Sequence, residues 1–284
     1  MENAITVRGL CKHYKDFSLQ NVDLTVPRGT IVGFVGENGA GKTTTLKAIV
    51  GAIRADGGSI SVLGGSAAGP ETLARVGVVF EDAFFYESCT PQEVGHALSH
   101  IQPGWDTTRY QALLAQFELP EKKLIKDMSR GMRMKFRLAA ALAHAPELLI
   151  LDEATSGLDP VVRGEVLDLL QEYIQDESHS VLMSSHITSD LEKIADSIAY
   201  IHGGRLLFQM DKEELFEAFG VLKCSREKVD ALPLDLVVAI RQGGFGCEAL
   251  VRRPAAVRAC LPGAVLDRAS IEDIMQFYTG RDKR

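Results

Sequence analysis

Two adjacent carboxylates, Asp152 and Glu153, come directly after an apolar run at residues 148–151. A short apolar run bounded by polar residues is typical of a strand that is buried on both faces of a parallel sheet. The C-terminal ends of such strands form the edge at which α/β proteins bind their ligands. The pattern therefore predicts that these carboxylates bind a metal ion or move a proton. Two solvated loop carboxylates would be the alternative.

A phosphate-binding pattern lies upstream, at residues 36–43. Its sequence GENGAGKT fits G-x-x-x-x-G-K-[ST] without a mismatch, between the apolar run IVGFV and a segment with helical character. Glycines let successive N–H groups face one anion, and the helix N-terminus adds to the positive field. A glycine-rich turn without a ligand is the alternative. We expect nucleotide binding at Gly36, Glu37, Asn38, Gly39, Ala40, Gly41, Lys42, Thr43 and Thr44.

The side chains of these two motifs have the types needed to hydrolyse a nucleoside triphosphate. Lys42 would reach the β- and γ-phosphates, and the Thr43 hydroxyl would ligate Mg²⁺. Asp152 would hold the same ion, directly or through a water. Glu153 would orient and deprotonate the attacking water, because that step needs a carboxylate close to the γ-phosphate. Together, the two motifs predict a nucleoside triphosphatase.

Three further motifs narrow the class of P-loop protein: MSRGM at residues 128–132, ATSGLDP after the carboxylates, and His186 after the apolar run VLMSS. With these motifs in this order, the chain resembles an ATP-binding subunit of an ABC transporter over roughly residues 5–209. The resemblance implies that His186 is a catalytic switch histidine beside Lys42 and Glu153. It also implies a signature loop, contacting the ATP of a partner subunit, at Ser129, Arg130, Gly131 and Met132.

The local sequence also indicates roles for Tyr14, Asp159 and His186. Tyr14 lies in a polar stretch, so its ring is available to stack on adenine as the resemblance implies; a plain surface tyrosine is the alternative, and Phe17 is the second candidate for stacking. Asp159 precedes Pro160, which favours a helix N-cap, and this is compatible with the D-loop role that the resemblance gives it. His186 at a strand end predicts a γ-phosphate contact, whereas a lone satisfied histidine is the simpler alternative.

Two motifs depart from the family pattern. The signature loop has Arg130 and Met132 where most relatives have glycine and glutamine, and Glu81 stands where the family has the glutamine of its Q-loop. Glu81 can still ligate Mg²⁺ through oxygen, but it adds negative charge and cannot donate a hydrogen bond. Similar substitutions occur in relatives that serve bacterial exporters, so the resemblance favours an exporter over an importer.

Composition agrees with a cytoplasmic protein that does not bind nucleic acid. The formal net charge is −7, which gives no basic surface for DNA or RNA. The five cysteines are scattered and never form a C-x-x-C pair, so we expect reduced thiols. The first residues, MENAITVRGL, contain no apolar signal segment, and no run in the chain approaches the length that crosses a bilayer. We therefore expect a peripheral protein on the inner face of the membrane, bound there through a permease.

The elements predict an α/β fold: a P-loop ABC ATPase domain at residues 1–219 and a small α+β domain at residues 220–284. Alternating residues before residue 30 predict antiparallel strands beside a mixed sheet. Residues from about 84 to 145 predict an inserted helical lobe, where the family docks its permease. In the C-terminal segment no catalytic or metal-ligand pattern is visible.

The function expected from the sequence is that of an ATP- and Mg²⁺-dependent ATPase subunit. It would dimerise around ATP, as a homodimer or a heterodimer, and power a separate integral-membrane permease, expected to be an exporter. A soluble ABC-type ATPase acting on a macromolecular partner is the alternative from another class. It is disfavoured because the chain has neither a tandem second cassette nor a long coiled coil, and because it is acidic. A small P-loop kinase is disfavoured by the signature loop, His186 and the D-loop.

Overall fold

The computed structural model describes residues 2–67, 69–80, 85–243 and 246–280. The chain forms two compact units, Met1–Gln209 and Met210–Arg284. The division between these units falls ten residues before the boundary at 219 that the sequence suggests. Within the described ranges, no helix combines the length and the apolar character required to cross a bilayer.

The strands of the described chain are β1 (Asn3–His13), β2 (Ser18–Pro27), β3 (Ile31–Val35), β4 (Gly57–Val62), β5 (Gly65–Ser66), β6 (Val76–Val79), β7 (Leu148–Asp152), β8 (Ser180–Ser185), β9 (Ser197–His202), β10 (Arg205–Asp211), β11 (Phe219–Cys224), β12 (Val237–Gly243), β13 (Gly246–Arg252) and β14 (Val265–Arg268).

The α-helices are α1 (Lys42–Ile49), α2 (Pro70–Leu73), α3 (Pro91–Ile101), α4 (Thr107–Gln116), α5 (Arg130–Leu142), α6 (Pro160–Tyr173), α7 (Thr188–Ile194), α8 (Lys212–Ala218), α9 (Arg226–Asp230), α10 (Pro254–Cys260) and α11 (Ile271–Thr279), with 3₁₀ turns at Ile125–Asp127 and Leu234–Leu236.

A six-stranded sheet of order β10-β9-β3-β8-β7-β6 forms the centre of the first unit. Strand β3 pairs in parallel with β8 and β9, and β7 pairs in parallel with β6 and β8. Every residue of β3, β7 and β8 is buried, which explains the apolar runs IVGFV, LLIL and VLM within these strands. The predicted buried strand before Asp152 is therefore confirmed. Strands β9 and β10 join at Gly203 and Gly204, whose positive φ angles of 53° and 75° suit a tight hairpin turn.

An antiparallel sheet of order β2-β1-β4-β5 packs against this centre, as the alternation of the first thirty residues predicts. Its inward side chains, including Val7, Leu24 and Val62, share one apolar core with Phe34 of β3 and Leu46 of α1. Burial of these side chains stabilises each by about 1.5–3 kcal/mol relative to exposure. The shared core fixes α1, and with it the loop that precedes α1, against the sheet.

Helices α3, α4 and α5 pack around a second apolar cluster that includes Tyr110, Leu114 and Phe136. Helix α3 begins with the capping box that the sequence predicts: the Thr90 side chain accepts from the N–H of Glu93, and the Glu93 carboxylate accepts from the N–H of Thr90. Because this lobe has its own core, it holds the start of α5 in a defined position.

The second unit contains an antiparallel sheet of order β12-β13-β11-β14. One core cluster of this unit includes Leu222, Ile240, Val251 and Val257. Helix α11 buries Ile271, Ile274 and Phe277, and it begins with a capping box at Ser270. The strand and helix order matches the α+β pattern that the sequence predicts for the C-terminal segment.

Candidate nucleotide site

The loop between β3 and α1 lies close enough to its neighbours that two positions require glycine. A Cβ atom on Gly36 would stand 2.5 Å from the carbonyl oxygen of Ile201. A Cβ atom on Gly41 would stand 2.5 Å from Leu19 Cδ2, and the φ of Gly41 is 113°. Such a φ is strained for any residue with a side chain. The glycines of the motif therefore allow close packing of this loop as well as its curl.

Lys42, the first residue of α1, is 5% exposed, and its ammonium group lies inside the loop. Its Nζ donates to the carbonyl oxygens of Gly36 at 2.7 Å and Glu37 at 3.3 Å. The same Nζ lies 3.2 Å from Glu153 Oε1. The loop thus holds a buried cation at the place where phosphate charge is expected.

Asp152 is the last residue of β7, and hydroxyl donors contact both of its carboxylate oxygens. Thr43 Oγ1 donates to Oδ2 at 2.7 Å, and Ser184 Oγ donates to Oδ1 at 2.5 Å. Asp152 is 2% exposed. Ser184 is a residue of this site that no sequence motif identifies. Its signal is its place in β8 next to the predicted histidine, and the parallel register sets Asp152 opposite Ser184.

Glu153 and His186 meet where β7 and β8 end. Glu153 Oε2 lies 2.6 Å from His186 Nδ1, and Glu153 is 8% exposed. The backbone N–H of Glu153 donates to the carbonyl oxygen of Ser184 at 3.1 Å. The φ of Glu153 is 53°, in the left-handed region. One buried carboxylate therefore contacts a lysine of the phosphate loop and the histidine of the neighbouring strand.

A cavity of about 400 Å³ opens in front of these groups. It is lined by Asp16, Phe17, Glu37, Asn38, Gly39, Gly41, Lys42, Thr43, Thr44 and Glu153. Gly36 and Ala40 are buried behind this lining. Most of the residues that the sequence assigns to phosphate binding therefore share one cavity, together with Asp16, which the sequence analysis does not include.

The two candidate adenine-stacking rings differ in position. Phe17 lines the cavity, and its ring lies against the phosphate loop, because a Cβ on Gly41 would stand 2.9 Å from Phe17 Cζ. Tyr14 is 49% exposed and is not part of the cavity lining. The Lys12 ammonium lies 5.6 Å from the centroid of the Tyr14 ring. Of the two rings, Phe17 is the one that the structure places beside the phosphate loop.

The predicted signature loop lies at the N-terminus of α5 and outside the lining of this cavity. Ser129 caps the helix, since its Oγ accepts from the N–H of Met132 at 3.1 Å. The Arg130 guanidinium covers Gly157, where an added Cβ would stand 2.5 Å from Arg130 Cζ. Gly131 faces Val162 of α6, with an added Cβ at 3.2 Å. The loop is therefore packed against the segment that follows the two carboxylates.

Asp159 caps α6, as the sequence predicts, because Asp159 Oδ1 accepts from the N–H groups of Val161 and Val162, each at 3.1 Å. Asp159, like Ser129 and Gly157, is exposed and lies outside the cavity lining. Glu81, the predicted Mg²⁺ ligand of the Q-loop, lies outside the described residues. The structure thus brings Lys42, Thr43, Asp152, Glu153 and His186 together and leaves Ser129, Arg130 and Asp159 at a separate surface.

Comparison with known proteins agrees with this arrangement. A family model described as ABC transporter matches residues 19–156. The bacitracin transport ATP-binding protein BcrA of Enterococcus faecalis is 34% identical over 220 residues, which cover 76% of this chain and 71% of that protein. The daunorubicin resistance ATP-binding protein DrrA3 of Streptomyces coeruleorubidus is 34% identical over 223 residues, covering 75% and 70%.

A solved structure of an ATP-binding subunit of an ABC transporter superposes with a TM-score of 0.67 at 30% identity. The match covers 75% of this chain and 91% of that one. The phosphate loop, the strand-end Asp-Glu pair and the strand-end histidine lie at one sheet edge, as the relatives of this identity and coverage lead one to expect. The chain therefore belongs to the family of ABC transporter ATP-binding proteins, the ATPase subunits of those transporters.

Proposed function

We propose that the chain hydrolyses Mg²⁺-ATP in the cavity between the phosphate loop and the ends of β7 and β8. The observation that carries this proposal is the contact set of Glu153. Its carboxylate contacts Lys42 Nζ at 3.2 Å and His186 Nδ1 at 2.6 Å, beside the lining of the phosphate loop. A water between Glu153 and the γ-phosphate would be oriented by this carboxylate, which is a base within hydrogen-bond reach. Lys42 stabilises the charge of the phosphates, and His186 contacts the γ-phosphate.

The oxygen atoms beside this carboxylate suit Mg²⁺. Thr43 Oγ1 and Asp152 Oδ2 lie 2.7 Å apart, and both are hard oxygen donors. In the part of the chain that the structure describes, no cluster of three or more His, Cys, Asp or Glu side chains could hold a metal ion alone. A Mg²⁺ ion that takes its remaining ligands from phosphate oxygens and water fits such a sparse site. When bound, the ion neutralises phosphate charge; Thr43 and Asp152 position it.

The signature loop and the D-loop support a dimer in which each chain completes the site of the other. Ser129 and Asp159 are exposed, and neither lines the cavity of its own chain. The start of α5 offers N–H groups and a positive helix terminus, which favour an anion. We infer that Ser129, Gly131 and Asp159 contact the nucleotide of a partner subunit, in a homodimer or a heterodimer.

The direction of transport is inferred from the relatives rather than from the site. Relatives of this chain are named for bacitracin transport and for daunorubicin resistance. We infer that the chain powers export through an integral-membrane permease and is held at the inner face of the membrane by that partner. Residues of the helical lobe, about 84–145, would contact the permease.

Lys42→Ala tests the site. Loss of the ammonium removes a charge-assisted contact to phosphate, so we expect ATP affinity to fall by roughly tenfold to a hundredfold in calorimetry with Mg²⁺. Lys223→Ala is the matched control, because Lys223 pairs with Asp267 in the second unit at an exposed position. The control should bind ATP as the wild type does. Unchanged affinity in Lys42→Ala would place the nucleotide elsewhere.

A further inference from the structure

Two cysteines of the second unit lie directly opposite each other on neighbouring strands. Cys224 is the last residue of β11, and Cys247 is the second residue of β13. The antiparallel register pairs Cys224 with Cys247. Directly paired residues point to the same face of a sheet, with Cα atoms about 4.5–5.5 Å apart. This separation lies within the range of about 4.4–6.8 Å that a disulfide spans.

Cys224 and Cys247 differ in exposure, but both pack against the same apolar cluster. Cys247 is 3% exposed and belongs to the core that includes Leu222 and Val251. Cys224 is half-buried and packs against the same cluster. Burial, foremost, and the neighbouring Cys247 raise the pKa of the Cys224 thiol, while Lys228 lowers it. Because Cys224 is the more exposed of the two, it is the thiol that an external reagent reaches, and Cys247 is protected by the core.

The other cysteines have no comparable partner. Cys11 is paired with Gly57 across the first sheet, and its thiol contacts Asn21 Oδ1 at 3.3 Å. Cys260 ends α10 and is exposed, whereas Cys89 precedes α3. Packing against the apolar cluster alone would also satisfy the buried Cys247 thiol and the half-buried Cys224 thiol. Packing does not require that an accessible cysteine and a protected cysteine be directly paired across neighbouring strands. This pairing is the feature that points to a reaction between them.

We propose that Cys224 and Cys247 are a modification site at which a small-molecule disulfide oxidises the pair to a reversible cross-strand disulfide. The Cys224 thiol loses its proton to solvent, and its thiolate attacks the reagent disulfide, R–S–S–R, forming a mixed disulfide and releasing one R–S⁻, which takes up a proton. The Cys247 thiolate then attacks the Cys224 sulfur of this mixed disulfide and releases the second thiol, R–S⁻, which takes up a proton. Two protein thiols are oxidised, and one reagent disulfide is reduced to two thiols.

This reaction has a consequence for the second unit that does not depend on the proposed ATPase mechanism. The bond would join the ends of β11 and β13 and close the segment between them, which contains α9 and β12, into a covalent loop. In a reducing compartment the pair rests as two thiols. The site would therefore respond to a rise in oxidised low-molecular-weight thiol.

Oxidised glutathione is the probe, applied to the native chain. After alkylation of free thiols and peptide mapping by mass spectrometry, we expect the peptides of Cys224 and Cys247 to be joined, and Cys260 to carry a glutathione adduct. Dithiothreitol should restore all thiols. Adduct on Cys224 should be more than roughly tenfold higher in Cys247→Ser than in the wild type, because the resolving thiol is held in reaction geometry. Cys260→Ser is the control and should leave the joined peptides unchanged.

Two results would overturn the proposal. The first is a wild-type protein in which Cys260 has reacted while Cys224 and Cys247 both remain open to alkylation. The second is a stable glutathione adduct on Cys224 without the joined peptides. Repeating the oxidation in urea keeps the test independent of how the variants fold, since the preference for the Cys224–Cys247 pair must fall when the strands separate.

Discussion

Replacing Glu153 by glutamine tests the chemistry with the smallest change in shape. The carboxylate contacts Lys42 Nζ at 3.2 Å and His186 Nδ1 at 2.6 Å, and it is 8% exposed. Glutamine keeps the size and one oxygen but cannot take up the proton of an attacking water. A positioned general base contributes about 10²–10⁴ in rate. At about 1.36 kcal/mol for each tenfold, the barrier to hydrolysis should rise by about 2.7–5.4 kcal/mol.

ATP binding should survive the same substitution. In the nucleotide-free protein the Glu153 carboxylate attracts Lys42, and it would repel a γ-phosphate that approaches the loop. Removing the negative charge relieves the repulsion and frees Lys42 for the phosphates, so the affinity for Mg²⁺-ATP should be equal or higher. Because bound ATP then persists, Glu153→Gln should elute from a sizing column as an ATP-dependent dimer.

Steady-state release of ADP, together with calorimetric ATP affinity, measures both effects. The matched control is Glu165→Gln, a carboxylate that is 50% exposed and pairs with Lys135 at 2.5 Å. Because the Glu165 carboxylate is half exposed to solvent, its ion pair contributes about 0–1 kcal/mol, so this control should fold, bind ATP and turn over within about threefold of the wild type. Near-normal hydrolysis in Glu153→Gln would reject Glu153 as the base. Loss of ATP binding would instead show that the carboxylate acts in binding.

Three further outcomes follow from the same contacts. Thr43→Val removes the hydroxyl donor of the buried Asp152 Oδ2, so urea unfolding without nucleotide should show a loss of about 1.5–3 kcal/mol, and Thr43→Ser should restore most of it. Arg130→Gly should change ATP turnover by less than about tenfold, about 1.4 kcal/mol, because the guanidinium covers Gly157 and not the cavity of its own chain; a loss of a hundredfold or more would make Arg130 catalytic. Burial, foremost, lowers the pKa of His144; Arg109 acts in the same direction, and a hydrogen bond to the Val76 carbonyl opposes it. As the pH falls below the ordinary value of 6.5, the unfolded chain therefore binds this proton before the folded chain does, and stability is lost. His144→Gln should reduce the difference between the free energies of unfolding at pH 7.5 and pH 5.5.

Local patterns in the sequence are enough to predict the phosphate loop and the strand ends. The run before Asp152 is buried on both faces, and the Thr90 capping box forms as its residue types require. Such features depend on neighbours in the chain, so propensity and periodicity identify them.

Contacts between strands are harder to predict because they depend on register. Ser184 donates to Asp152 only because β7 and β8 pair in parallel with these residues opposite each other. Adenine stacking by Tyr14 stays a prediction, and of the two candidate rings Phe17 is the one that lies against the phosphate loop. The direction of the Arg130 side chain, over Gly157, likewise depends on how α5 packs beside α6. The Ser184 and Arg130 contacts have no signature within their own segments, whereas Phe17 is recognised from its segment as a second candidate.

Glu153 has a left-handed backbone, with φ at 53°. The residue that we propose as the base therefore has a backbone conformation that lowers folding stability. A side chain in this conformation costs about 1–2 kcal/mol relative to the right-handed region, a penalty that glycine escapes. A chain with glycine at this position would be relieved of the strain and would lack the carboxylate that we propose as the base. Under selection for folding alone, replacement of Glu153 by glycine would therefore be favoured. The resulting subunit would bind nucleotide without hydrolysing it. On the proposal that Glu153 is the base, a requirement for turnover keeps a glutamate where its own backbone disfavours one.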